Sequence, residues 1–196
     1  MNYKLYKKSR NLSWEILVRE GVCELPVSVT KLCKSMGIEI RYADGNNGND
    51  GWCRIVNGQP FIFINRNCSV KRQRFTAAHE LGHILLGHVG KYELVNREPS
   101  PDDNTIEREA NVFASRLLAP ACVLWGLHIQ NAKQIEQLCN ISKTSAEFRM
   151  KRLGELYLRE QDFLKKKGKS CFLLSPLEKQ VFAQFQPFIN EKSNFI

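Results

Sequence analysis

Four histidines occur in the 196 residues, and two of them stand four apart in His79-Glu80-Leu81-Gly82-His83. On a helix, positions i and i+4 share a face, so both imidazoles can reach one ion. Glu80 falls about 100° further round the helix, off the ligand pair. From there its carboxylate meets a water held by the ion rather than the ion itself. The chemistry of such a trio is hydrolysis: the ion lowers the pKa of the water and the glutamate takes its proton. Zn²⁺ is the expected ion, with Mn²⁺ or Fe²⁺ as alternatives for two imidazoles and a carboxylate. A pair of core histidines hydrogen-bonded to backbone is the competing reading of the same five residues.

A catalytic site of this kind needs a third protein ligand and keeps one position open. The metzincin arrangement asks for a glycine seven and a histidine ten positions after the first ligand. Leu86 and Val89 stand there instead, and His88 comes one position too early. A carboxylate from a second helix is therefore expected. The stretch from Ile106 to Pro120 supplies one. Ile106, Ala110, Phe113, Ala114, Leu117 and Leu118 form an apolar stripe of helical period. Glu107 and Asn111 are i and i+4, so they project together, Glu107 as ligand and Asn111 as hydrogen-bond partner of a ligand histidine. Glu109 lies on another face and is expected in solvent. An ordinary charged run on a core helix is the competing reading here. His88 and Tyr92 are the nearest groups for stabilising an oxyanion, although packing or solvation is the default for each. The seven cysteines offer no CxxC and no two closer than ten residues. They read as reduced thiols of a cytoplasmic protein rather than as ligands.

These side chains need elements to hold them. From Lys71 to Gly87, Phe75, Ala78, Leu81, Ile84 and Leu85 recur at helical spacing, basic at the start and apolar toward the end. Residues 1–20 are expected to contain a short docking helix. Val27–Met36 reads as a second helix, begun by Ser28 or Thr30 and stopped at Gly37. Ile38–Tyr42 alternates as a strand, and Asp44–Gly51 is a turn-rich loop. Trp52–Val56 and Pro60–Asn65 flank Asn57-Gly58, a strong hairpin signal. A small antiparallel sheet is thus expected ahead of the zinc helix, with an edge strand able to hold a substrate backbone. Val89–Asn104 reads as a surface loop, with Asn104 or Thr105 capping the next helix.

After Pro120 the pattern changes. Lys133–Leu153 scans like a helix-turn-helix. Ile135 opens its first helix, Asn140 falls where a turn glycine is common, and Ile141-Ser142 cap the second. Glu136 stands where a small residue usually packs between the helices. Ser175–Ile189 reads as a C-terminal helix that docks on the domain or forms an oligomer contact.

The blocks RQRFTAAHELGHILLGH and EREANVFASRLLAP, in this order and separation, resemble the ImmA/IrrE family of zinc metallopeptidases. The resemblance extends from about Pro26 to Leu153. It implies an α+β fold: a small antiparallel sheet packed on a thermolysin-like zinc-helix pair, followed by a helical, helix-turn-helix-like C-terminal region. Residues 1–120 would form the metallopeptidase domain and 121–196 the helical region, with the helix-turn-helix-like segment at 133–153. It implies His79, His83 and Glu107 as ligands, Glu80 as general base and Asn111 as the residue orienting a ligand histidine. It implies a site-specific endopeptidase whose substrate is a helix-turn-helix repressor of a mobile element, prophage or stress regulon. The alternative is a DNA-binding or repressor-binding regulator with a structural or vestigial metal site, including one half of a toxin–antitoxin pair.

Composition sets outer bounds. Hydrophobic residues make up 43% and charged residues 25%, as in soluble globular proteins. The apolar run Leu117–Leu127 is far short of the roughly 20 residues that span a bilayer. The N-terminal lysines precede no apolar stretch, so no signal peptide is expected. A net charge of +9 suits nucleic acid or an acidic partner. The basic residues are nevertheless spread over Lys4–Arg10, Lys71–Arg74 and Lys143–Lys169, so direct DNA binding has no single face to point to. Nothing in the composition fixes an oligomeric state.

Overall fold

The strand with the longest apolar run, β3 (Gln59–Asn65), lies between β1 (Glu39–Ala43) and β2 (Gly51–Val56). The structure is a computed structural model that describes residues 3–44, 49–89, 105–167 and 175–193. β2 and β3 form the expected antiparallel hairpin. Asn57 and Gly58 turn it with φ of 50° and 80°, the conformation an Asn-Gly pair adopts most readily. β1 pairs with β3 in parallel, Ile40 opposite Ile62. The sheet is therefore mixed, not antiparallel throughout. Phe61-Ile62-Phe63-Ile64 is apolar on both faces, which favours a central place with a partner on each edge. The hairpin fills one edge, and β1 fills the other while running antiparallel to β2.

Ile62, Ile64 and Cys53 are buried on the inner face. On the outer face Trp52 stacks on Phe63 at 5.0 Å, and the guanidinium groups of Arg41 and Arg54 lie over Phe61 and Phe63. Helix α3 (Val70–Leu85) packs against β2 and β3, its N-terminus capped by the Ser69 hydroxyl, which accepts from the Arg72 N–H. Helix α4 (Thr105–Leu118) packs on α3 and on α1 (Tyr3–Arg19). The α3–α4 approach is close at Gly82, where a Cβ would sit 2.9 Å from Phe113 Cδ1. Helix α2 (Val29–Ser35) is capped by Ser28. Most of the 89–104 loop, the alternative cap Asn104, and residues 45–48 of the turn-rich loop lie outside the described residues.

Pro120 and Gly126 read as breakers, yet a short helix, α5 (Ala121–Gly126), forms between them with Cys122, Val123 and Leu124 buried. Proline fits there because it stands at the cap, before any N–H is needed by the helix. Helix α6 (Ala132–Cys139) opens with a capping box between Asn131 and Gln134. Asn140 then turns the chain in the left-handed region, φ 50°, into α7 (Lys143–Lys167). Glu136 pairs with Lys71 of α3 at 2.6 Å, which gives a charged residue a partner between packed elements. Arg74 of α3 donates to the carbonyls of Cys139, Asn140 and Val27. The buried Arg149 of α7 donates to Ala119 O at 2.6 Å. Helix α8 (Pro176–Ser193) buries Val181, Phe185, Phe188 and Ile189 and packs on α1 and α5. Its Gln184 amide donates to Leu17 O and Val22 O. One hydrophobic core runs from Trp14 to Ile189 across the position of Pro120. Among the described residues no helix is long and apolar enough to cross a membrane.

Candidate metal centre

His79 and His83 stand one turn apart on α3, and α4 brings Glu107 up to them from its first turn. The two Nε2 atoms are 3.0 Å apart. Glu107 Oε2 is 3.1 Å from His79 Nε2, and Oε1 is 3.4 Å from His83 Nε2. One ligand atom from each residue can be chosen so that all three lie within 4.8 Å of one another. Atoms about 2 Å from a shared tetrahedral ion stand roughly 3.3 Å from each other, so the spacing suits one small cation.

The hydrogen bonding makes the same point chemically. Asn111 Oδ1 lies 3.0 Å from His79 Nδ1. An amide oxygen only accepts, so Nδ1–H donates and Nε2 keeps a lone pair. That lone pair faces the oxygen of Glu107. Two acceptors at this distance repel unless a cation stands between them, so the donor set fits a metal ion. Burial works against ionising Glu107, but hydrogen bonds and charge from His79 and His83 in their protonated forms outweigh it and hold its pKa well below the usual carboxylate range, and a bound cation would take the place of those protons. The carboxyl is thus held in its ligating form. Glu80 follows His79 directly on α3 and is only 3% exposed. It is not one of the three groups that converge.

Two further residues belong to this cluster. Glu109, expected in solvent, is 6% exposed and lies 3.0 Å from His88 Nε2. The solvent expectation is overturned because α4 packs against α1 as well as α3, so more than one of its faces is interior. His88 in turn places Nδ1 3.0 Å from His83 Nδ1. With both ring nitrogens engaged, His88 has no donor left for the oxyanion role raised above. Its position follows from how α3 ends. Gly87, at φ 73°, lets the chain reverse, with Gly87 N–H donating to Ile84 O and His88 N–H to His83 O. That is the Schellman closure, which stacks the residue after the glycine back on the helix. The signal was present in the sequence as a glycine directly after an apolar helix, with a histidine behind it. Tyr92 lies outside the described residues.

A family model described as the IrrE N-terminal-like domain, Peptidase_M78, matches residues 33–152. No curated protein matches the chain significantly.

Proposed function

Since the chain belongs to the IrrE N-terminal-like peptidase family, we propose that it is a zinc-dependent endopeptidase whose substrate is a helix-turn-helix repressor protein. The observation carrying the hydrolytic reading is the convergence of His79, His83 and Glu107 on one point, with Glu80 buried beside them on the same helix. A purely structural site has no use for Glu80. When bound, a Zn²⁺-type cation supplies Lewis acidity and makes a neighbouring water more acidic. His79, His83 and Glu107 hold the ion, and Asn111 fixes the ring of His79 through its Nδ1–H. Glu80 accepts the proton of the attacking water as general base and returns it to the departing amine. The helices following Pro120 form a unit built onto this centre, tied to the metal helix through Arg74 and Lys71. The repressor substrate is an expectation carried over from the family resemblance, and a cytoplasmic site of action one carried over from the cysteine pattern.

Incubation with helix-turn-helix repressors from the same genome, with and without chelator, followed by intact-mass spectrometry, tests the proposal. One defined, chelator-sensitive cut is the expected result. An intact repressor after incubation with Zn²⁺-loaded protein would count against it. Tight, sequence-dependent DNA binding with a steep salt dependence and no cut would favour the regulator reading instead.

A further inference from the structure

We propose that Glu109 and His88 form a positioning relay that fixes the tautomer and ring orientation of His83. The inference rests on the metal-site reading above and adds two residues to it. The distances run in one line: Glu109 Oε2 to His88 Nε2 is 3.0 Å, and His88 Nδ1 to His83 Nδ1 is 3.0 Å. The far nitrogen of His83 then faces His79 and Glu107.

Proton positions follow from the acceptor end. A carboxylate only accepts, so His88 Nε2–H donates to Glu109. A neutral His88 is then left with a bare Nδ1. His83 must donate to it through its own Nδ1–H, which leaves His83 Nε2 with the lone pair a metal requires. Every bond of the line is used once, and the only tautomer of His83 it permits is the ligating one.

The backbone builds the relay. The Schellman closure at Gly87 sets His88 over His83, joining them by a backbone hydrogen bond of 2.9 Å as well as by their rings. Helix α4 brings Glu109 two residues after the ligand Glu107. The line is also dry: His83 is 1% exposed, and the His88 and Glu109 side chains 9% and 8%. Water cannot compete there for the His83 Nδ1–H. Glu109 Oε1 is buried without a hydrogen-bond partner among the described residues. Burying a carboxylate in that state is costly, and an apolar side chain would fill the same space at lower cost. Orienting a ligand accounts for the carboxylate where packing does not. The two histidines are thus held differently, His79 by an exposed amide and His83 by a buried charged line.

The test reads two properties other than turnover. In metal-free wild-type protein, ¹⁵N NMR of the histidine rings is expected to show His83 protonated at Nδ1. Zn²⁺ affinity, measured by chelator competition, is expected to fall about 10–100-fold in Glu109→Leu and in His88→Phe. Glu109→Gln keeps an acceptor oxygen and should lose less. The double variant should lose no more than His88→Phe alone, because one line is broken only once. Circular dichroism of each metal-free variant checks folding, and the wild-type tautomer needs no variant at all. His83 found with a bare Nδ1 would overturn the relay, as would affinities within about twofold of wild type in folded Glu109→Leu and His88→Phe. Wild-type protein that binds no Zn²⁺ would instead defeat the metal reading. The tautomer is measured without metal, so the two failures are told apart.

Discussion

Glu107 and Glu80 are both acidic, and what surrounds each sets its task. Glu107 lies against two imidazoles that keep it ionised when protonated, as a cation held between them would, while Glu80, the next residue after His79 on α3, is not among the three ligand groups. Glu80→Gln should therefore retain the metal and lose about 10²–10⁴-fold in cleavage rate, as removal of a general base does. Metal content by elemental analysis and the cleavage rate, taken on one preparation, check this; cleavage at the wild-type rate would remove Glu80 from the mechanism. The i, i+4 spacing made His79, His83, Glu107 and Asn111 legible as two pairs, because a helix fixes which side chains stand together. His88 and Glu109 were not legible in that way. One depends on a chain reversal at Gly87, and the other on α4 being enclosed on two sides. Helical periodicity registers neither.

At the scale of elements, the site depends on how closely α3 and α4 approach, since His79 and His83 stand on one and Glu107 on the other. Gly82 permits that approach by lacking the Cβ that would meet Phe113. Gly82→Ala gains about 1 kcal/mol of helix propensity. It also forces the helices apart, and overpacking costs about 1–3 kcal/mol. The net expectation is lower stability in urea and weaker Zn²⁺ binding together. A more stable Gly82→Ala protein would show that the contact is slack. The helices and the hairpin could be read from periodicity, caps and the Asn57-Gly58 turn. The parallel pairing of β1 could not, because alternation in a short strand says nothing about direction. Helix α5 was hidden because Pro120 and Gly126 mark breaks, and the five residues between them carry too little periodicity to register.

Across the whole molecule, one core joins α3 and α4 to the helices after Pro120, and buried thiols are part of it. Burial pushes the thiols of Cys33, Cys122 and Cys139 up from 9.0 to about 12. In the unfolded chain these thiols ionise from about pH 9, while in the folded chain they stay protonated. The folded state then binds more protons, so their contribution is complete below pH 9 and is lost as pH rises toward 12. Each thiol should lower stability by about 1.4 kcal/mol between pH 8 and pH 10. Urea melts at the two pH values, repeated on a variant with all three cysteines replaced by alanine, check the sign. An equal fall in that variant would show that the thiols are not responsible. The spread of the basic charge over three segments was legible, but the internal use of some of it was not. Its residues are divided among α1, α3 and α7, and part of it is used internally, as by Arg74 and Arg149.

The central claim is that one cation is shared by His79, His83 and Glu107, and titration of metal-free protein with Zn²⁺ tests it most directly. One equivalent should bind tightly to the wild type, with at least a hundredfold weaker binding, on the order expected for a lost ligand, in His79→Ala and in Glu107→Ala. Wild-type protein that takes up no Zn²⁺, or a Glu107→Ala variant that binds it as tightly as the wild type, would contradict the account.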